Sequence, residues 1–182
     1  MTFNDFLKTM ESNFLNIDER HILFWNLWCL NYAFEKIAPT YTHYIELSDS
    51  YNRLWRINDN NITVDPTDFS FIQNFDDTSF DALDDFKIEE LAIKEFINGA
   101  DIIIKGLTGG TNRYGGKAVF TIPFNIIEIL LDKEGSSVTK AEGFNQPICI
   151  QEATAQLKLS TALSQFDTRY PFADRNIYRT GI

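Results

Sequence analysis

Apolar residues recur along this chain mainly at helical spacings of three, four and seven, and in one segment they crowd out nearly everything else. Residues Ile22–Phe34 (ILFWNLWCLNYAF) carry eleven apolar side chains in thirteen positions, two of them Trp. That is too many for one helix face, and too short a run for the roughly 20 apolar residues of a membrane span. The pattern predicts a helix buried on all sides, the spine of a soluble helical bundle.

Shorter amphipathic patterns flank it. Thr2 followed by Asp5 has the form of a capping box, and Phe3, Phe6, Leu7, Met10 and Phe14 then predict a first helix of about three turns. Asp18 is placed to cap the spine helix, with Glu19 where the helix dipole favours an anion. That helix should run to about Ile37 before Pro39 breaks it. From Thr40 onward Tyr41, Tyr44, Ile45, Tyr51, Leu54 and Trp55 predict a third helix, with Glu46, Asp49 and Arg53 on its other side. Asn58–Asn61 reads as a turn. Asp65 and Pro66 supply an N-cap and a first-position proline for a short helix over Thr67–Phe75.

Beyond an acidic, turn-like stretch, Ile88, Leu91, Ala92, Phe96, Ile103 and Leu107 predict a long helix from about Lys87, weakened at Gly99. Leu107–Lys117 (LTGGTNRYGGK), with four glycines and no apolar period, reads as an exposed loop. Ala118–Leu131 contains Pro123 and predicts a kinked helix or two short ones, ended at Gly135-Ser136-Ser137. A final helix from about Pro147 to Phe166 carries Ile150, Ala153, Leu157 and Leu163, and the tail to Ile182 reads as irregular. Strands at Ile102–Ile104 and Phe120–Ile122 are the alternative, since β-branched residues beside glycines also suit an α/β protein, but the surrounding patterns are long and helical. The expectation is all-α: one domain, residues 1–182, of about six or seven helices around a central apolar helix near 18–37.

Composition sharpens this picture. With 182 residues, 44% of them hydrophobic and sixteen of them Phe, the chain has material for one well-filled core. Sixteen Lys and Arg against 26 Asp and Glu give a net charge of -10, a field that repels nucleic-acid phosphates and anionic lipid headgroups. Neither nucleic acid nor membrane is therefore expected as a partner, whereas a basic protein would be attracted. Cys29 within the spine and Cys149 between two isoleucines read as free, buried thiols. The opening MTFNDFLKTMESNF has no basic segment ahead of an apolar one, and the expected location is the cytoplasm.

Candidate chemistry is sparse. The order ADIIIK, GLTGGTNRYGGKA, helix resembles that of a phosphate-binding loop, but Thr111 stands where the first glycine belongs and Ala118 where the magnesium-binding hydroxyl belongs. His43 and Glu46 sit three apart as a metal-binding pair does, without a second such pair, and His21 is the one other histidine. No nucleophile elbow is present, so no catalytic residue, cofactor or metal is expected. Asp76, Asp77, Asp81, Asp84, Asp85 and Glu89 crowd one stretch, with Glu90 beside them and Lys87 the one cation, and form the candidate docking surface. Acids before a helix also simply complement its dipole. Tyr41, Tyr44, Tyr51, Trp55 and Arg56 are either an interface surface or core.

The segment HILFWNLWCLNYAFEKIAPTYTHY followed by YNRLWRIND, with Cys29, Pro39, Tyr41 and Trp55 in that order, then Asp84-Asp85-Phe86 and a chain ending Gly181-Ile182, resembles the YjaG-like bacterial proteins over most of its length. The glycine-rich 107–117 segment and a polar insertion at 58–79 depart from that pattern. The resemblance implies an all-helical fold and supplies no activity or catalytic residues. Three functional readings follow. The first is a non-enzymatic protein-binding module, of the kind that masks a basic toxin in an immunity pair. The second is an enzyme or small-molecule receptor with an aromatic pocket gated by the 107–117 loop, and the third a homo-oligomer joined through an apolar helix face.

Overall fold

A computed structural model describes residues 1–37, 39–60, 62–76, 87–109, 116–135, 143–166 and 172–180. Its elements are α1 (Phe3–Asn16), α2 (Glu19–Phe34), α3 (Tyr44–Asn60), a 3-10 turn (Pro66–Phe69) running into α4 (Ser70–Gln73), α5 (Ile88–Gly109), α6 (Lys117–Phe120), α7 (Ile122–Lys133) and α8 (Pro147–Ser164). Among the described residues there is no strand, so the alternative at Ile102–Ile104 and Phe120–Ile122 falls: both segments are helical or a break between helices.

Local signals set the helix starts. Thr2 and Asp5 close a capping box, with Asp5 N donating to Thr2 Oγ1 and Thr2 N to Asp5 Oδ2, each at 3.1 Å. Thr2 Oγ1 also donates to Asp5 Oδ2 at 2.7 Å, and this bond, with that from Thr2 N, favours the ionised form and holds the Asp5 carboxyl below its ordinary pKa. Asp18 caps α2 by accepting from Arg20 N at 2.9 Å, and Asp65 caps the 3-10 turn by accepting from Thr67 N at 3.0 Å. At Thr121 the chain breaks between α6 and α7, the two-helix form of the Pro123 expectation.

Every residue of α2 from His21 to Ala33 is buried. The helix packs against α3, α5, α6, α7 and α8, while α1 lies on α8 and α5 on α7, in one hydrophobic core. Where α2, α5 and α7 meet, a Cβ at Gly99 would lie 2.6 Å from Ile122 Cδ1 and 2.7 Å from Leu30 Cδ1. The glycine that weakens α5 as an isolated helix is what lets the three helices close. Among the described residues no helix is long and apolar enough to cross a membrane.

Several boundaries and faces differ from expectation. Asn58–Asn60 does not turn but extends α3, because Asn58 is buried and the Asn60 amide donates to Arg56 O at 3.2 Å, closing the last turn. Leu107–Gly109 is the end of α5 rather than loop: Leu107 packs on the core and Thr108 Oγ1 donates to Ile104 O at 2.9 Å. Residues 110–115 of the glycine segment lie outside the described residues, and Lys117, expected in the loop, opens α6 after Gly116. Ile45 and Ile150, expected on buried faces, are 73% and 50% exposed; Leu47 meets the core on α3, and on α8 the expected Cys149, Ala153 and Leu163 do.

Candidate functional site

Of the acidic candidates, Asp77, Asp81, Asp84 and Asp85 lie outside the described residues. Glu89 is half-buried in the first turn of α5, where an anion complements the helix dipole, next to Glu90, whose carboxylate is 4.0 Å from Lys87 Nζ. Asp76 is exposed and sits elsewhere: it lines a cavity of about 450 Å³ with Tyr41, His43, Phe71, Asn74 and Phe75.

Two stretches build that cavity. The turn before α3 supplies Tyr41 and His43, fixed by Tyr44 N donating to Tyr41 O and Leu47 N to His43 O, each at 3.0 Å. Pro66 and the Asp65 cap start the second stretch, and burial of Phe69 and Ile72 pins it to the core. An ion pair between Arg53 and Asp68 ties it to α3. With Phe69 and Ile72, three apart, pinned inward, Phe71, Asn74 and Phe75 line the opening. The His43 ring lies 6.0 Å from Tyr41 and 5.7 Å from Phe71, and Phe71 lies 6.1 Å from Phe75. Burial, with Glu46 adding to it, raises the Tyr41 hydroxyl above its ordinary value, so it stays a neutral hydrogen-bonding edge. These rings meet edge-on or tilted rather than stacked, and aromatic surface beside an aspartate is suited to hold a cationic side chain.

The other aromatic candidates divide. Tyr51 and Trp55 belong to the core, Tyr44 stacks on Phe34 at 5.9 Å, and Arg56 is exposed. His43 and Glu46 are an exposed pair 3.6 Å apart, whereas His21 is fully buried with Nδ1 donating to Leu163 O at 2.9 Å. Among the described residues no group of three or more His, Cys, Asp or Glu is arranged to hold a metal ion. A second cavity, about 660 Å³, opens between the starts of α2 and the 3-10 turn and the ends of α3 and α5, with Glu19, Arg20, Asn58, Ile62 and Thr108 in its wall.

The most concentrated polar chemistry went unseen in the sequence. Glu152 on α8 and Arg179 in the tail form an ion pair with both side chains 2% exposed. Arg179 donates from Nε and Nη2 to the two Glu152 oxygens, each at 2.8 Å, and from Nη1 to Trp28 O at 2.7 Å. Its guanidinium carbon lies 3.5 Å from the centre of the Trp28 ring. Around this pair Trp28 Nε1 donates to Ile177 O at 3.0 Å, Asn31 Nδ2 to Asn176 Oδ1 at 2.6 Å, and Tyr51 to Asn31 Oδ1 at 2.8 Å. Burial raises the Cys29 thiol and the Tyr32 hydroxyl, and pushes the Cys149 thiol up to about 11, with Glu128 and Glu152 adding to it. One signal did point here: Glu152 and Gln156 stand in line with Cys149, Ala153 and Leu159, and an acid on a buried helix face requires a buried cation.

Comparison with family models, with curated proteins and with solved structures finds no match to this chain.

Proposed function

We propose that this chain is a non-enzymatic protein-binding module that docks a basic partner on the Tyr41–Asp76 face. The observation that carries this reading is the cavity in which Tyr41, His43, Phe71 and Phe75 present aromatic surface beside Asp76. A Lys or Arg seated there would meet ring faces and a carboxylate together, and aromatic anchors of this kind dominate interface energetics. The net charge of -10 would speed encounter with a positively charged protein. An immunity-type role, masking a basic toxin, is the form of this activity that fits an acidic helical domain. The same proposal keeps the YjaG-like kinship and a cytoplasmic location, where the free thiols of Cys29 and Cys149 stay reduced.

The test is capture of partners from the native cell on the wild-type chain, followed by kinetics with the purified partner. The Asp76→Lys and Phe71→Ala variants should associate more slowly and dissociate faster respectively, with a weaker salt dependence for Asp76→Lys. Unchanged rates for both variants would remove this face as the docking surface.

A second reading, a small-molecule receptor, is favoured by one observation, the 660 Å³ cavity whose wall includes Leu107 and Thr108 at the edge of the glycine segment. Among the described residues its walls hold no aromatic side chain, so it differs from the aromatic pocket expected from the sequence.

A further inference from the structure

The tail segment 172–180 is held to the bundle chiefly by side chains. Within it Ile177 N donates to Asp174 O at 3.3 Å and Arg179 N to Asn176 O at 2.9 Å, and Tyr178 sits at φ 69, a left-handed conformation unfavourable for a side-chain-bearing residue. Arg175 lies over the Trp55 ring at 4.7 Å and donates to Asn52 Oδ1 at 3.1 Å. Arg179 reaches deepest.

What receives Arg179 belongs wholly to the bundle. Glu152 offers its two oxygens to Nε and Nη2, Trp28 offers its carbonyl to Nη1 and its indole as a floor, and the Tyr32 ring stands 5.3 Å away. Glu152 is oriented independently of the tail, since Gln156 Nε2 donates to Glu152 Oε1 and to Phe120 O, each at 3.0 Å. Stability alone does not call for such an arrangement, because a buried ion pair is commonly no better than well-packed apolar residues. Bidentate acceptance by one carboxylate with an indole beneath is instead the arrangement that distinguishes a guanidinium from an ammonium.

We propose that the cleft between α2 and α8 is an arginine-recognition site, a receptor for alkylguanidinium groups that the chain keeps filled in cis with Arg179. An arginine from elsewhere enters only in competition with the tail. The site is separate from the Tyr41–Asp76 face and stands whether or not that face docks a partner. Its ligand class is a guanidinium on an alkyl stem, a chemistry shared by free guanidino compounds and by an arginine of another polypeptide.

The experiment uses the full chain carrying Arg179→Ala, with thermal unfolding followed by tryptophan fluorescence as ethylguanidinium is added against matched ethylammonium and sodium chloride. Arg179→Ala should melt lower than wild type by on the order of 10 °C. Millimolar ethylguanidinium should restore a saturable part of that loss, while leaving wild type and the Arg179→Ala, Glu152→Gln double variant unmoved. If Arg179→Ala does not fold unaided, its refolding yield against ethylguanidinium concentration gives the same readout. A synthetic peptide of residues 174–180 separates the two sources: rescue by the peptide at lower concentration assigns the site to arginine on a chain, and rescue by the small probe alone assigns it to free guanidino compounds. No saturable rescue, equal rescue by ethylammonium, or rescue that survives Glu152→Gln would overturn the proposal.

Discussion

Two regions of this molecule use the same ingredients, aromatic rings and a carboxylate, to opposite ends. In the Glu152–Arg179 socket every component is buried and the cation comes from the chain itself. At the Tyr41–Asp76 face the rings and the aspartate line an open cavity with the aspartate exposed. Burial decides the difference. A carboxylate withdrawn from water requires a partner already in place, because a desolvated, unpaired charge costs several kcal/mol. A carboxylate left in water carries little desolvation cost, whatever is seated against it.

That contrast can be broken in four ways, taken from the largest effect downward. Arg179→Ala strands the Glu152 charge and should cost about 3–5 kcal/mol of stability, measured by denaturant unfolding. A loss under about 1 kcal/mol would mean the pair is more hydrated than its burial implies. Phe71→Ala should reverse the balance, leaving stability within roughly 1 kcal/mol of wild type while weakening a docked partner by about 2 kcal/mol, some 30-fold in Kd by titration calorimetry.

The third concerns alkaline pH. The Cys149 thiol is raised from its ordinary 9.0 to about 11 in the fold, so on raising the pH the unfolded chain loses this proton before the folded one does. The contribution is fully present below the ordinary value and lost between about pH 9 and 11. Cys29, Tyr32 and Tyr51, all raised chiefly by burial, add with the same sign. Cys149→Ala should flatten the fall in Tm across that window, and a fall of unchanged steepness would assign the whole of it to the others. Smallest is Asp76→Lys, which should slow partner association a few-fold at low salt and leave Tm in place.

How much of this was legible in the sequence depended on whether a signal was local. The spine Ile22–Phe34, the caps at Thr2, Asp18 and Asp65, and the break ahead of Pro123 were readable because each is set by near neighbours. Residues whose role is set by distant packing were not. Gly99 read as a weak point in α5, since its use appears only when Leu30 and Ile122 approach it. Ile150 was assigned to the buried side because hydrophobicity does not fix helix phase in α8, where apolar residues occur all round, whereas Ile45 stands off the Leu47, Tyr51, Leu54 and Trp55 stripe that α3 buries. The acidic docking surface was read from charge density, and of its described members Asp76, which lines a cavity, is distinguished by aromatic neighbours from another segment, 41–43. Arg179 looked like one more charge in an irregular tail. Its role depends on Trp28 and Glu152, 151 and 27 residues away in the chain.

The central proposal is that a basic partner docks on the exposed aromatic and acidic face, whether or not the socket takes an arginine from elsewhere. Hydrogen–deuterium exchange of the wild-type chain with and without its captured partner tests it most directly. The account predicts slowed exchange in 41–46 and 66–76; slowed exchange confined to 147–164 and 172–180, with none at 66–76, would contradict it.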